Sequence, residues 1–221
     1  MRILVISPHM DDEVLGVGGT IARHVSEGDD VYVCFIAHRV YDHKYDEAKN
    51  KFEVECALKA KKLLGYKEAE FFNLNDERLD ACVQDIIIPI ENYVKKVDPE
   101  IVYVPHRGDN NQDHRAVFEA AMIVLRPSAN RNIKRILCYE VSSSTEQSPP
   151  FEESAFLPNF YANIEEHLRT KIEALRCYKT EKRGFPHPRS DKGIEILAMK
   201  RGIEAGFKAA EAFVLVRERW D

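Results

Sequence analysis

The sequence predicts an α/β chain, a Rossmann-like three-layer αβα sandwich around a mostly parallel sheet. Three observations carry that expectation. Apolar runs of strand length (Ile3-Leu4-Val5-Ile6, Val31 to Ala37, Ile101 to Pro105) show little alternation, as strands buried on both faces do. Segments of helical periodicity follow them, so the order is strand, helix, strand, helix. Right-handed crossovers then lay the strands parallel, with helices on both faces.

Taken in order, Ile3 to Ile6 is the first strand and Val14 to Val25 the first helix, ended by the turn Glu27-Gly28-Asp29-Asp30. Val31 to Ala37 is the second strand, and a polar stretch, His38 to Asp46, leads to a helix from Glu47 to Leu64. Gly65 closes that helix, whose inward face is expected to carry Ala57, Ala60, Leu63 and Leu64. Glu70 to Leu74 is a short strand, and Asp76 is expected to cap the next helix, apolar from Ile86 to Val97 and stopped by Asp98-Pro99. After the strand Ile101 to Pro105 come a polar loop, His106 to Arg115, and a helix, Ala116 to Leu125. Ile136 to Val141 is a strand, Ser142 to Pro150 a Ser/Pro-rich loop at the rim, Ile164 to Tyr178 a helix, and Tyr178 to Asp191 a basic loop. A helix from Ile194 to Phe207 and a strand from Ala212 to Val216 close the chain.

Length favours one domain over 1–221, with an irregular C-terminal elaboration over roughly 142–195. A formal charge of −5, with 31% charged and 44% hydrophobic residues, argues against nucleic acid or an anionic membrane as bulk partner. No apolar run approaches the roughly 18 residues of a membrane span, and the chain opens on a strand rather than a secretory leader. Five scattered cysteines, with no Cys-x-x-Cys pair, fit neither a disulfide framework nor a thiolate metal site. Together these predict a cytoplasmic protein, and they leave open whether it forms a homo-oligomer.

Chemistry concentrates at two turns. His9 and Asp12 lie three residues apart where the first strand passes into its helix, the edge where open α/β sheets keep ligands. Both can reach one ion, and Zn²⁺ accepts a mixed nitrogen and oxygen set, leaving Asp11 as a candidate base. Asp113 and His114 follow another strand in the same grammar. In a parallel sheet the two loops open on one edge, so residues about a hundred positions apart can share a metal.

Pro8-His9-Met10-Asp11-Asp12-Glu13, with Leu15-Gly16 and Gly18-Gly19-Thr20 behind it, resembles the signature of the PIG-L (LmbE-like) zinc-dependent N-deacetylases, which act on N-acetylglucosamine-type sugars. Asp113-His114 resembles their second motif, and weaker likenesses continue through Pro158 to Tyr161, Lys171, Pro186 to Ser190, Arg201-Gly202 and Ala210 to Phe213. The resemblance implies metal ligands His9, Asp12 and His114, with Asp11 as general base. Three ligands leave a coordination position for water, as catalytic zinc requires, and a His₂-carboxylate face also accepts Fe²⁺. The implied substrate is a small amino sugar or its conjugate. Asp113 reads either as a carboxylate orienting an imidazole or as a helix cap.

One departure stands at Asn111, where many members carry a histidine. An asparagine donates a hydrogen bond to an oxyanion but delivers no proton, so Asp11, His106 or His187 must protonate the leaving amine. Arg189 reads either as a substrate contact or as half of a salt bridge, and His38 and His187 as pocket residues. Gly16, Gly18 and Gly19 lie inside the predicted helix rather than directly after the strand, which favours close helix packing over a dinucleotide fingerprint.

Overall fold

In the computed structural model the described residues are 1–220; Asp221, the end of the expected 1–221 domain, lies outside them. The chain runs β1 (Arg2–Ser7), α1 (Asp12–Ser26), β2 (Asp30–His38), a hairpin of β3 (Val40–Tyr41) and β4 (Lys44–Tyr45), α2 (Glu47–Leu64), β5 (Glu68–Asn75) and α3 (Val83–Val97). It continues through β6 (Ile101–Pro105), α4 (Gln112–Val124), β7 (Arg135–Tyr139), β8 (Phe160–Asn163), α5 (Leu168–Leu175), α6 (Asp191–Ala205) and β9 (Ala210–Glu218).

Seven strands form one sheet in the order β5-β2-β1-β6-β7-β9-β8. The first five in that order are parallel neighbours, whereas β9 runs antiparallel to both β7 and β8. The sheet is therefore mixed, with a parallel body and an antiparallel edge. Side chains of β1 split cleanly between the two faces. Ile3 and Val5 pack with α1, α2 and α5, while Leu4 and Ile6 pack with α3 and α4. All four are fully buried, each worth roughly 1.5–3 kcal/mol of transfer free energy.

The order places the topological switch between β1 and β6, which pair from Ile3↔Ile101 to Val5↔Tyr103. Their carboxyl ends are thus neighbours, and the turns that follow open into one crevice. Helix α1 lies close over the sheet because Gly16 and Gly19 carry no Cβ. One at Gly16 would strike the Tyr139 ring, and one at Gly19 would meet Ile164 at 2.8 Å. Close packing is therefore what those glycines serve.

Several local expectations change. Leu63 is exposed, and the inward face of α2 is completed by Glu53 and Cys56 instead. Asp76 caps no helix, since α3 starts after Cys82. Helix α4 begins at Gln112, so Asp113 and His114 sit in its first turn. The helix expected over Ile164 to Tyr178 is confined to Leu168–Leu175, and the stretch 142–195 also contributes the unforeseen strand β8, which is short and flanked by polar residues. No helix among the described residues is long and apolar enough to cross a membrane.

Candidate active site

The site is built from the turns after β1 and β6. His9, Asp12 and His114 are at most 3% exposed. His9 Nδ1 is 3.3 Å from His114 Nε2, and Asp12 Oδ2 is 3.3 Å from the first and 3.2 Å from the second. Those near-equal edges can be tested against a metal. Ligand atoms about 2.0–2.1 Å from a tetrahedral ion stand about 3.3 Å apart, so the triangle has the size of one face of a zinc coordination shell. Two imidazoles and a carboxylate also supply the right donor chemistry, with the fourth apex left for water or substrate.

Further carboxylates ring the imidazoles. His9 Nε2 lies 3.0 Å from Asp76 Oδ1 and 3.2 Å from Asp113 Oδ2. His114 Nδ1 stands 3.3 Å from Asp109 Oδ2, a charge contact without hydrogen-bond alignment. Asp109 is itself held by the hydroxyls of Ser144 and Thr145 and by the Asn111 amide. Burial would depress both imidazoles, but Asp113, Asp12 and Asp76 raise His9 well above its ordinary range, and Asp12 and Asp109 lift His114 to about 9. Burial likewise opposes ionisation of Asp12, yet the two imidazoles hold it well below the usual carboxylate range. A field that favours protonated imidazole also attracts a cation.

Asp11 stands outside the triangle. Its backbone is at φ 116°, where an L residue is strained, and its amide donates to Glu13 Oε2 at 3.1 Å. Glu13 is anchored by the Tyr178 hydroxyl at 2.6 Å, and burial pushes its carboxyl up to about 8. Asp11 Oδ2 accepts from Arg189 Nη1 at 2.9 Å, while the buried Oδ1 has no hydrogen-bond partner. Burial raises this carboxyl to about 7 against the pull of Arg189. Arg189 also meets Glu181 at 2.9 Å, and Glu181 meets Arg39 at 2.8 Å.

The residues anticipated from sequence divide accordingly. His9, Asp11, Asp12, Asp113, His114 and Arg189 converge. Asn111 borders them as the N-cap of α4, its carbonyl oxygen accepting the Asp113 amide, so Asp113 is no cap and faces His9. Arg189 is neither a surface salt bridge nor a free contact, being a half-buried partner of Asp11 that also lines a cavity of about 240 Å³ with Arg176, Glu181, Arg183 and Phe185. His187 stands behind it, with Nδ1 accepting the Arg189 amide. His38 is not brought into the cluster: Nδ1 lies 3.1 Å from Asn73 O and the ring sits edge-on to Tyr45. His106 is bound to Ser154 O and packed on Phe156.

Asp76, Asp109, Glu13, Glu181 and Arg39 carry no site role in the sequence reading. Asp76 had a usable signal, since it follows the carboxyl end of β5 on the same edge as His9. Arg39 had none, because its partner Glu181 is 142 residues away in sequence.

The family model described as PIG-L, GlcNAc-PI de-N-acetylase, matches residues 4–125, more than half of the chain. An uncharacterized deacetylase of Escherichia coli, YaiS, is 30% identical over 184 residues, covering 80% of this chain and 90% of its own. Diacetylchitobiose deacetylase of Thermococcus kodakarensis is 24% identical, covering 97% and 83%. Among solved structures, the conserved protein TT1542 of Thermus thermophilus superposes with a TM-score of 0.80 at 21% identity, over 99% of this chain and 96% of its own. Its likeness bears on the fold, whereas the family match and the bacterial relative bear on descent: the chain belongs to the PIG-L, or GlcNAc-PI de-N-acetylase, family.

Proposed function

We propose that the chain is a metal-dependent N-deacetylase that removes acetyl from an N-acetylated amino sugar of the N-acetylglucosamine type, or from a conjugate of one, releasing acetate and the free amine. The observation that carries this reading is a triangle of three ligand atoms, each edge 3.2 or 3.3 Å, with an unpartnered carboxylate oxygen of Asp11 beside it. A relative named for deacetylating diacetylchitobiose supports the substrate class.

His9, Asp12 and His114 would hold Zn²⁺, and Fe²⁺ suits the same set. Bound there, the ion supplies Lewis-acid polarisation of the acetyl carbonyl and acidifies a water. Asp11 Oδ1 takes the proton from the attacking water, because Oδ2 is tied to Arg189 and the carboxyl titrates near neutrality. The same carboxyl then returns that proton to the departing nitrogen. Asn111, whose carbonyl oxygen is committed to the cap, donates from its amide NH₂ to the developing oxyanion. Arg189 keeps Asp11 ionised and oriented, and the cavity it lines receives the rest of the sugar conjugate, with His187 as its support. Five unbridged cysteines support a cytoplasmic setting.

The test is amine and acetate release from a panel of N-acetyl sugars, including N,N′-diacetylchitobiose, by Zn²⁺-loaded protein. Stoichiometric release of both products is expected. One metal per chain with no amine from any N-acetyl sugar would point to an amidase for another acyl conjugate, such as a thiol conjugate. A chain that takes up no metal would be a non-catalytic binding module.

A further inference from the structure

We propose that Asp76 is a positioning residue for His9, its carboxylate charge standing beside the Asp113 hydrogen bond at the imidazole Nε2–H so that the ring keeps Nδ1 turned toward Asp12 and His114. The proposal rests on the metal reading of those three residues and adds the device that prepares one of them.

Both carboxylates reach the back of the same ring nitrogen: Asp113 Oδ2 accepts its hydrogen bond at 3.2 Å, and Asp76 Oδ1 stands 3.0 Å away as a charge contact off the N–H line. A carboxylate only accepts, so the proton between them belongs to Nε2, and the neutral ring then carries its lone pair on Nδ1. Each carboxylate is itself fixed by backbone. Asp76 accepts from the amides of Val40 at 3.1 Å and Glu77 at 2.9 Å, and Asp113 from those of Glu77 at 2.7 Å and Leu79 at 3.0 Å. The Glu77 amide serves both, and Glu77 holds the left-handed φ of 62° that a non-glycine residue adopts at a cost.

The two acceptors come from different parts of the fold. Asp76 follows β5, two strands from β1 in the sheet, and Asp113 opens α4 beside it. The Asp113 acceptor fixes where the N–H points; the Asp76 charge, brought in by a separate element, also resists rotation of the ring. His114 has a weaker arrangement, a single carboxylate at 3.3 Å without hydrogen-bond alignment. His9, with one hydrogen-bonded carboxylate and one further charge contact, is thus the more firmly preset ligand of the pair.

His9, Asp76 and Asp113 also lie close enough to suggest a second cation site. The amides argue against it, because they already occupy the carboxylate oxygens and a second ion would have to displace the Nε2 proton.

The experiment titrates metal-free wild type, Asp76→Ala and Asp76→Asn with Zn²⁺ against a chromophoric chelator, and records the protonated ring nitrogen of His9 in the loaded wild type by ¹⁵N NMR. One ion per chain is expected in wild type, with the His9 proton on Nε2. Asp76→Ala should bind about 10–100-fold more weakly, and Asp76→Asn, which keeps an oxygen acceptor, should recover part of that loss. Unchanged affinity in folded Asp76→Ala would overturn this positioning role. So would a second ion that Asp76→Ala abolishes, or a His9 proton on Nδ1, which is read in wild type even if the alanine variant fails to fold. Wild type that takes up no zinc would instead defeat the metal reading beneath it.

Discussion

Helix α1 has a His/Asp cluster at each end. At its amino end, His9 Nδ1, His114 Nε2 and Asp12 Oδ2 face one another across 3.2–3.3 Å, with further carboxylates behind the rings. At its carboxyl end, His24 lies 2.7 Å from Asp29 through Nδ1 and 3.0 Å from the Tyr103 hydroxyl through Nε2, while the other Asp29 oxygen accepts from the chain's terminal ammonium at 2.6 Å. Residue types are alike and close enough in both places to pass for ligand sets. The difference is where unspent lone pairs point. In the first cluster they share a focus; in the second both His24 nitrogens and both Asp29 oxygens have local partners. Burial shows the same contrast, since His24 is held below its ordinary pKa chiefly by desolvation, whereas carboxylates overcome that effect at His9 and His114.

The largest effect that would break this comparison comes from exchanging the two histidines' importance. His114→Ala should reduce bound metal from one per chain to none and abolish amine release, while His24→Ala should leave both unchanged, as read by metal analysis and the amine assay. Next is Asp11→Asn, expected to lower turnover about 10³-fold while the metal stays bound, which separates the base from the ligands. Asn111→Asp retains the capping oxygen but removes the amide donor. It should cost about 10²-fold in turnover with little change in melting temperature.

How far the sequence could be read follows from the same contrast. The β1–α1 turn was legible because the two proposed ligands and the proposed base are packed into four consecutive residues, His9 to Asp12, just after an apolar strand. The partnership with His114 was legible too, because both loops follow strands of a parallel sheet and so open on one edge; the adjacency of β1 and β6 was added by the structure. Asp76 was misread as a cap because Asx residues before helices normally are caps, and nothing local reveals that the next helix starts several residues later. The Arg39–Glu181 and Arg189–Asp11 links were illegible, since contacts between segments so far apart in sequence leave no spacing to detect. Strand β8 escaped for a related reason: it is four residues long and takes its pairing from β9.

Two smaller effects sharpen the picture. Gly16 lies one turn from Asp12, and Gly16→Ala would drive a methyl into the Tyr139 ring. Overpacking there should cost about 2 kcal/mol and lower the melting temperature by roughly 4–8 °C, with metal affinity also falling because the amino end of α1 is displaced. The smallest effect belongs to His24. Its folded pKa is lowered, so between that value and the unfolded pKa near 6.5 the unfolded chain binds more protons, and stability is lost as pH falls through this window. The melting-temperature advantage of wild type over His24→Asn should therefore shrink between about pH 7.5 and about pH 5.5.

The central claim is that the turns after β1 and β6 close on one ion. Anomalous diffraction from crystals of Zn²⁺-loaded protein, recorded at the metal edge, tests it most directly. One peak about 2.0–2.1 Å from His9 Nδ1, Asp12 Oδ2 and His114 Nε2 is the expected result. A peak held by other residues, or none after loading, would contradict the account.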